Sequence, residues 1–432
     1  SLVVDEESYD EIRPLPNLDY RIVCGNSLLS VQKDLFNYTL YQELEKKKPQ
    51  YFGTTSPKNK AILRQEIDGL IDQLTDGNQT FDFEVYFSEV FSARKGFNII
   101  IANPPYGAKI SKEIQRKFRI NYGFVKFKID SFALFIIIAM HISRNEGDIN
   151  YIIPNAILNN YFLSDLRNNL IRDYQILELI NFQKSVFEAV VHSLILHLKK
   201  CTPEKTHRIK LKKGILELYD EVPQEYYLDI PGQSFIFLSS SERTLLKIIS
   251  QNSVQLQSVI ELRQAIKTGN DKKYISKSKS SDSYKPILRG RDVSRYAFND
   301  PKLYVNYGKH LACPRDHKIF EQDHVLIRET AKKIIATLDR DNFYIMSSLY
   351  CGILINKTYD LQFILGLLNS TLFHYLMFKI NFENTSGAFT KAKIYHYDQL
   401  PVKVGGDEAK QNISRLVQFI LLGFKLLVQQ HY

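Results

Sequence analysis

The residues best suited to chemistry are Asn103-Pro104-Pro105-Tyr106. Adjacent prolines have a fixed φ and no N–H, so the Asn103 side-chain oxygen and the Pro104 carbonyl are held in a stiff loop as bare acceptors. Such a pair suits a planar NH₂ group. An exocyclic amine conjugated to an aromatic ring is a poor nucleophile, and two acceptors gripping its hydrogens draw the lone pair out of the ring toward an electrophilic methyl group. Tyr106 supplies an aromatic face on which the ring would stack. A base inside a duplex is out of reach of such a loop and must be flipped out first.

The elements around the tetrad are those of a parallel sheet. Residues 97–102 are a continuous apolar run that stops at Asn103, as a buried parallel strand ending in a functional loop would. Upstream, residues 20–24 read as a short strand closed by Gly25-Asn26, and residues 28–74 as a helical hairpin. Downstream come a helix (130–144), a strand (147–153) ended by Pro154, a helix (161–173) and two strands (176–182 and 192–199). The last two follow one another without a helix, which predicts an antiparallel hairpin at one sheet edge. Alternation of this kind implies an α/β fold with ligands at the carboxyl ends of its strands.

With 432 residues, 44% hydrophobic and 24% charged, the chain has the composition of two or more globular domains, and global disorder is excluded. Cys24, Cys201, Cys313 and Cys351 lie far apart with no CxxC pair, so a reduced, cytoplasmic protein without a structural metal is expected. The longest apolar run, 131–142, is too short for a membrane span. The first residues carry no signal peptide and read as a chain entered partway through. Charge is unevenly placed: residues 1–230 hold 29 Lys+Arg against 30 Asp+Glu, residues 231–432 hold 28 against 17. The second half is therefore read as a polyanion-binding domain.

Residues 101–107, Ile-Ala-Asn-Pro-Pro-Tyr-Gly, resemble the catalytic motif of adenine-N6 DNA methyltransferases. Together with 18–28 and 81–87 they resemble, in order and spacing, the methyltransferase core of Type IIG restriction-modification enzymes, over most of residues 15–200. The resemblance implies S-adenosylmethionine as methyl donor and a catalytic role for Asn103, Pro104 and Tyr106. It places Gly25, Asn26, Asn103, Asp130 and Phe132 at the cofactor, with Asn26 against its adenine. Residues 185–193 resemble a late motif in which Phe187 is a second aromatic against the flipped base. As residue types alone, Asn26 is equally a turn-former beside Gly25, and Phe187 a core side chain. The family's glycine-rich donor loop and its ribose-binding acid, which precede the position of Asn26, are not found, nor is a metal-nuclease cluster of the Asp…Glu-x-Lys type. The expected fold is a partial Rossmann-like S-adenosylmethionine-dependent methyltransferase sheet, its first strands missing, plus a C-terminal mixed α/β target-recognition domain.

The expected divisions are residues 1–205 for the catalytic core, with a helical insertion at about 28–76, then a proline-marked linker at 206–234 and a recognition domain at 235–432. Ser239-Ser-Ser-Glu242 opens this domain as a capping box. Residues 264–270, 285–292, 325–330, 365–370 and 397–401 resemble consecutive segments of the TaqI-like specificity domain. Gly290 between Arg289 and Arg291 would bring backbone and guanidinium near a phosphate or a guanine edge. Lys267, Arg328, Lys332, Lys333, Lys391 and Lys393 are further candidates, and the polar loop 384–391, with Asn384 and Thr385, is the expected base-reading segment. The expected partner is double-stranded DNA.

Overall fold

A computed structural model describes residues 18–28, 37–77, 79–123, 129–182, 192–380 and 390–430. They form two compact units, the first drawn from residues 1–154, 165–179 and 194–209, the second from 155–164, 180–193 and 210–432.

In the first unit the expected helical hairpin is α1 (Tyr38–Gly53) and α2 (Pro57–Thr75). Ser56 caps α2 by accepting from Asn59 N–H, and Pro57 occupies the first turn, where its missing donor costs nothing. Tyr41, Leu44 and Tyr51 from α1 share a core with Ile67, Leu70, Ile71 and Leu74 from α2. Val85 and Tyr86 of α3 (Phe83–Tyr86) complete it. Lys48 is fully buried there, its ammonium on the Tyr86 carbonyl and 3.5 Å from Glu89 of α4 (Ser88–Arg94). Burial pushes its pKa down, and Glu89 opposes the shift.

Residues 20–24, expected as a strand, form a turn. Arg21 N–H donates to the Leu18 carbonyl, Tyr20 sits at φ 59°, and its hydroxyl donates to Asp68 of α2 at 2.7 Å. A side-chain anchor on the hairpin thus overrides the β propensity of the segment.

The strand before the tetrad is β1 (Phe97–Ala102). Gly96 leads into it at φ +136°, where an added Cβ would lie 2.5 Å from the Ile142 carbonyl, so glycine is needed. Then follow α5 (Lys112–Asn121), α6 (Ser131–Ile142), β2 (Ser143–Pro154), α7 (Ser164–Asp173), β3 (Gln175–Asn181), β4 (Ser193–Lys199), β5 (Arg208–Lys212) and β6 (Leu218–Pro223). One sheet contains all six strands in the order β1-β2-β4-β3-β5-β6, with β1 parallel to β2. The α/β class expected from the alternation is present.

Three details differ from expectation. Among the described residues β1 lies at the edge of the sheet and not between covering layers: Ile99 and Ile101 are 62% and 78% exposed while Ile100 points inward. Alternation puts every second residue on a face that no described residue covers. β3 and β4 are neighbours but lie inside the sheet, because β5 and β6 extend it. Those two strands come from residues 206–234, expected as a linker.

Within the second unit lies α8 (Ser240–Ser250), whose capping box is formed: Ser239 Oγ accepts from Glu242 N–H, and Glu242 accepts from Ser239 N–H at 2.8 Å. Two four-stranded sheets follow. One orders Ala336–Asp339, His324–Arg328, Leu349–Leu354 and Ile260–Gln264; the other orders Tyr344–Ile345, Tyr284–Leu288, Leu303–Asn306 and Ile275–Ser276. The helix Asp407–Gln430 packs Val417, Ile413 and Leu421 on the core of the first sheet. Among the described residues no helix is long and apolar enough to cross a membrane.

Candidate active site and nucleic-acid interface

The tetrad lies where expected, at the carboxyl end of β1. Asn103 is exposed, Pro104 buried and Tyr106 half-buried. Tyr106 hydroxyl donates to the Ile152 carbonyl of β2 at 3.0 Å, which fixes the ring. Ser131 Oγ donates to the Pro105 carbonyl at 2.6 Å and accepts from Ala108 N–H at 3.2 Å. Gly107 N–H donates to Asp130 Oδ1 at 3.1 Å. Among the described residues no hydrogen bond engages the Asn103 side chain or the Pro104 carbonyl. The loop therefore presents two acceptors beside an aromatic face, an arrangement that can grip a planar amine.

The other residues expected at a cofactor are placed as follows. Gly25 lies against Phe81, whose ring an added Cβ would strike at 2.3 Å. Asn26 is exposed, and its side-chain oxygen accepts from Leu28 N–H at 3.2 Å, closing a turn. Asp130 is exposed with its carboxylate on the tetrad loop, and Phe132 is 1% exposed within the core. A cavity of about 480 Å³ in this unit is lined by Tyr20, Ile22, Val23, Asp68, Asp72 and Tyr86 and by none of these residues. Phe187 lies outside the described residues.

In the second unit several expected DNA-contacting residues converge. The strand Thr330–Ala331 pairs antiparallel with Thr390–Lys391, which brings Arg328, Lys332 and Lys333 to the segment holding Lys391 and Lys393. Lys332, Lys333 and Lys393 are exposed; Arg328 is half-buried, with its Nε lacking a hydrogen-bond partner. Ser348 ties in the arginine turn: its Oγ accepts from Gly290 N–H at 2.8 Å, and its carbonyl accepts from Glu329 N–H at 3.0 Å. A Cβ at Gly290 would lie 3.0 Å from that carbonyl. Arg291 is exposed, whereas Arg289 is half-buried, 3.6 Å from Asp271. Lys267 is exposed; its neighbour Ile266 accepts from Ser347 N–H, and Met346 N–H donates to Leu288. One short segment, residues 345–348, thus supports the stretches that carry Lys267, Arg289 to Arg291 and Arg328. Asn384 and Thr385 lie outside the described residues.

Residues 22–187 match the Eco57I restriction-modification methylase family, and residues 285–402 match the TaqI-like C-terminal specificity domain. The chain carries an Eco57I-type methylase region and a TaqI-like specificity domain. The methylase region holds the tetrad, and the specificity domain holds most of the converging basic residues. A Methanocaldococcus jannaschii protein named as a type II restriction enzyme and methyltransferase, RM.MjaORFECS2P, is 26% identical over 90% of this chain and 33% of its own length. Type II methyltransferase M.VspI from a Vibrio species is 24% identical over 49% of this chain and 51% of its own. The chain thus spans about a third and about half of the lengths of these relatives. Among solved structures, Type IIL restriction-modification enzyme MmeI in complex with DNA shares the fold at a TM-score of 0.54 and 13% identity, over 85% of this chain and 56% of that one.

The methylase family implies S-adenosylmethionine as methyl source. Of the residues expected at it, Asp130 accepts from the tetrad loop through Oδ1, Phe132 lies in the core and the Asn26 oxygen closes its own turn. Two positions of the methylase region and specificity domain escaped the sequence reading, Ser131 as a holder of the tetrad loop and Ser348 as the support of the arginine turn. Neither has a spacing or composition signal, because serine is common and its partners here are backbone groups remote in sequence.

Proposed function

We propose that the chain transfers a methyl group to the N6 amine of an adenine flipped out of double-stranded DNA, as the modification and recognition part of a restriction-modification enzyme. The observation that carries this reading is the tetrad loop at the end of β1, with the Asn103 oxygen and Pro104 carbonyl unengaged among the described residues and Tyr106 locked on Ile152. Both acceptors take the two N–H groups of the amine and raise the nucleophilicity of its nitrogen. Tyr106 stacks on the flipped base, and Phe187 is its second face. S-adenosylmethionine would supply the methyl group as an electrophile and leave as S-adenosylhomocysteine, and the amine proton would pass to water. Asn-Pro-Pro-Tyr favours adenine, whereas a serine in first position would favour the cytosine N4 amine.

In the second unit Arg291, Lys332, Lys333 and Lys393 contact phosphates and base edges, with Lys267, Arg289, Arg328, Lys391, Asn384 and Thr385 in the same role. A DNA-binding specificity module without transfer is the second reading, favoured by the placement of Phe132 in the core and of the Asn26 oxygen in its own turn. Methyl transfer from labelled S-adenosylmethionine to DNA, RNA and protein in parallel, beside duplex binding at two salt concentrations, separates the readings. Label on DNA adenine is the expected result. Salt-sensitive binding without label selects the second reading, and label confined to RNA or protein refutes both.

A further inference from the structure

Three backbone groups of the tetrad loop are held by two adjacent side chains at the start of α6. Ser131 Oγ donates to the Pro105 carbonyl and accepts from Ala108 N–H, and Asp130 Oδ1 accepts from Gly107 N–H. An aspartate at a helix N-cap ordinarily accepts from an N–H of its own first turn. Asp130 occupies the N-cap of α6 and makes no such bond, its carboxylate being turned to the loop. Ser131 is 1% exposed, and the helix it begins is anchored by Phe132, Leu134, Ile136 and Ile137, all buried. The loop is thus pinned to one of the most deeply packed elements of its unit.

We infer that Ser131 is a positioning residue for methyl transfer, with Asp130 as its auxiliary. The Ser131 bond withdraws the Pro105 carbonyl from any incoming amine, so that of the two prolines only Pro104 offers an acceptor beside Asn103. Together with the Tyr106 bond to Ile152, it fixes the peptide from which the stacking ring projects. A loop rich in proline has few N–H groups of its own with which to hold its shape, and the pair at 130 and 131 meets that need from outside. The inference rests on the methyltransferase reading for its functional half, while the clamp itself is open to test without it.

The experiment compares Ser131→Ala, Ser131→Thr and Asp130→Ala with the wild-type full chain in two measurements. The first is hydrogen–deuterium exchange of the peptide covering residues 103–110. Loss of one such bond is expected to speed exchange about tenfold in Ser131→Ala and to a similar extent in the exposed Asp130→Ala, with Ser131→Thr near wild type. The second is methyl transfer to bulk genomic DNA, where Ser131→Ala is expected to lower kcat at least about tenfold with the KM for DNA unchanged, and Ser131→Thr to restore it. Unchanged exchange in both alanine variants overturns the clamp. Faster exchange with unaltered kcat, or a rise in KM alone, overturns the positioning role. If wild type transfers no methyl group, the functional half falls together with the methyltransferase reading, while the exchange data still decide the clamp.

Discussion

Glu242 joins α8 to the helix Thr371–Ile380, and replacing it with glutamine should weaken the second unit by a definite amount. Its carboxylate accepts from Ser239 N–H at 2.8 Å, Tyr219 hydroxyl at 2.8 Å, Tyr375 hydroxyl at 2.9 Å and the Lys379 ammonium. Burial alone would raise its pKa, but the Lys379 ammonium, the Ser239 amide and the two phenols outweigh it and hold the group at about 2 instead of 4.5. By linkage that difference contributes roughly 3 kcal/mol, which solvent screening at a side chain still partly exposed reduces to about 2 kcal/mol. Because the folded pKa is depressed, the contribution is complete above about pH 4.5 and disappears as pH falls through about 2. Urea titration of the full chain and of Glu242→Gln should therefore show a gap of about 2 kcal/mol at pH 7, with roughly half of it left at pH 3. A gap below about 0.5 kcal/mol at pH 7, or one equally large at both pH values, would refute the reasoning.

Asn103→Ala and Tyr106→Ala are each expected to lower methyl transfer at least about a hundredfold while duplex affinity stays within a factor of about three, measured by label incorporation and by fluorescence anisotropy. Gly290→Ala forces a Cβ to 3.0 Å from the Ser348 carbonyl and should cost about 1–2 kcal/mol in a thermal melt, with weaker DNA binding; an unchanged melt would show that Ser348 can move aside freely. Lys332→Ala and Lys333→Ala should each reduce the slope of log affinity against log salt by about 0.9 and leave stability unchanged, because both side chains are exposed.

What could be read from the sequence was what depends on a residue and its near neighbours. The diproline loop is stiff wherever it sits, the Ser239–Glu242 capping box closes within one turn, and the hairpin helices announce themselves by apolar spacing. Tyr20 was misread because a hydrogen bond to Asp68, remote in sequence, decides its backbone. Ile99 and Ile101 look the same in sequence whether a layer covers them or not, and the interior place of β3 and β4 follows from sheet order, which local pattern does not encode. Ser131 and Ser348 act through hydrogen bonds to backbone remote in sequence, so no periodicity marks them.

On the proposed DNA-reading role, the floor formed by residues 345–348 bears on how the recognised sequence can change. Lys267, the Arg289 to Arg291 turn and Arg328 belong to stretches remote from one another in the chain, yet all rest on these four residues by main-chain or serine hydroxyl bonds. Substitutions in the side chains above the floor are free to alter one contact at a time, since the bonds beneath involve backbone. A substitution in the floor shifts several contacts at once. Variation in target preference should therefore accumulate in the overlying stretches, one base position after another, while residues 345–348 change little among variants that differ in what they recognise.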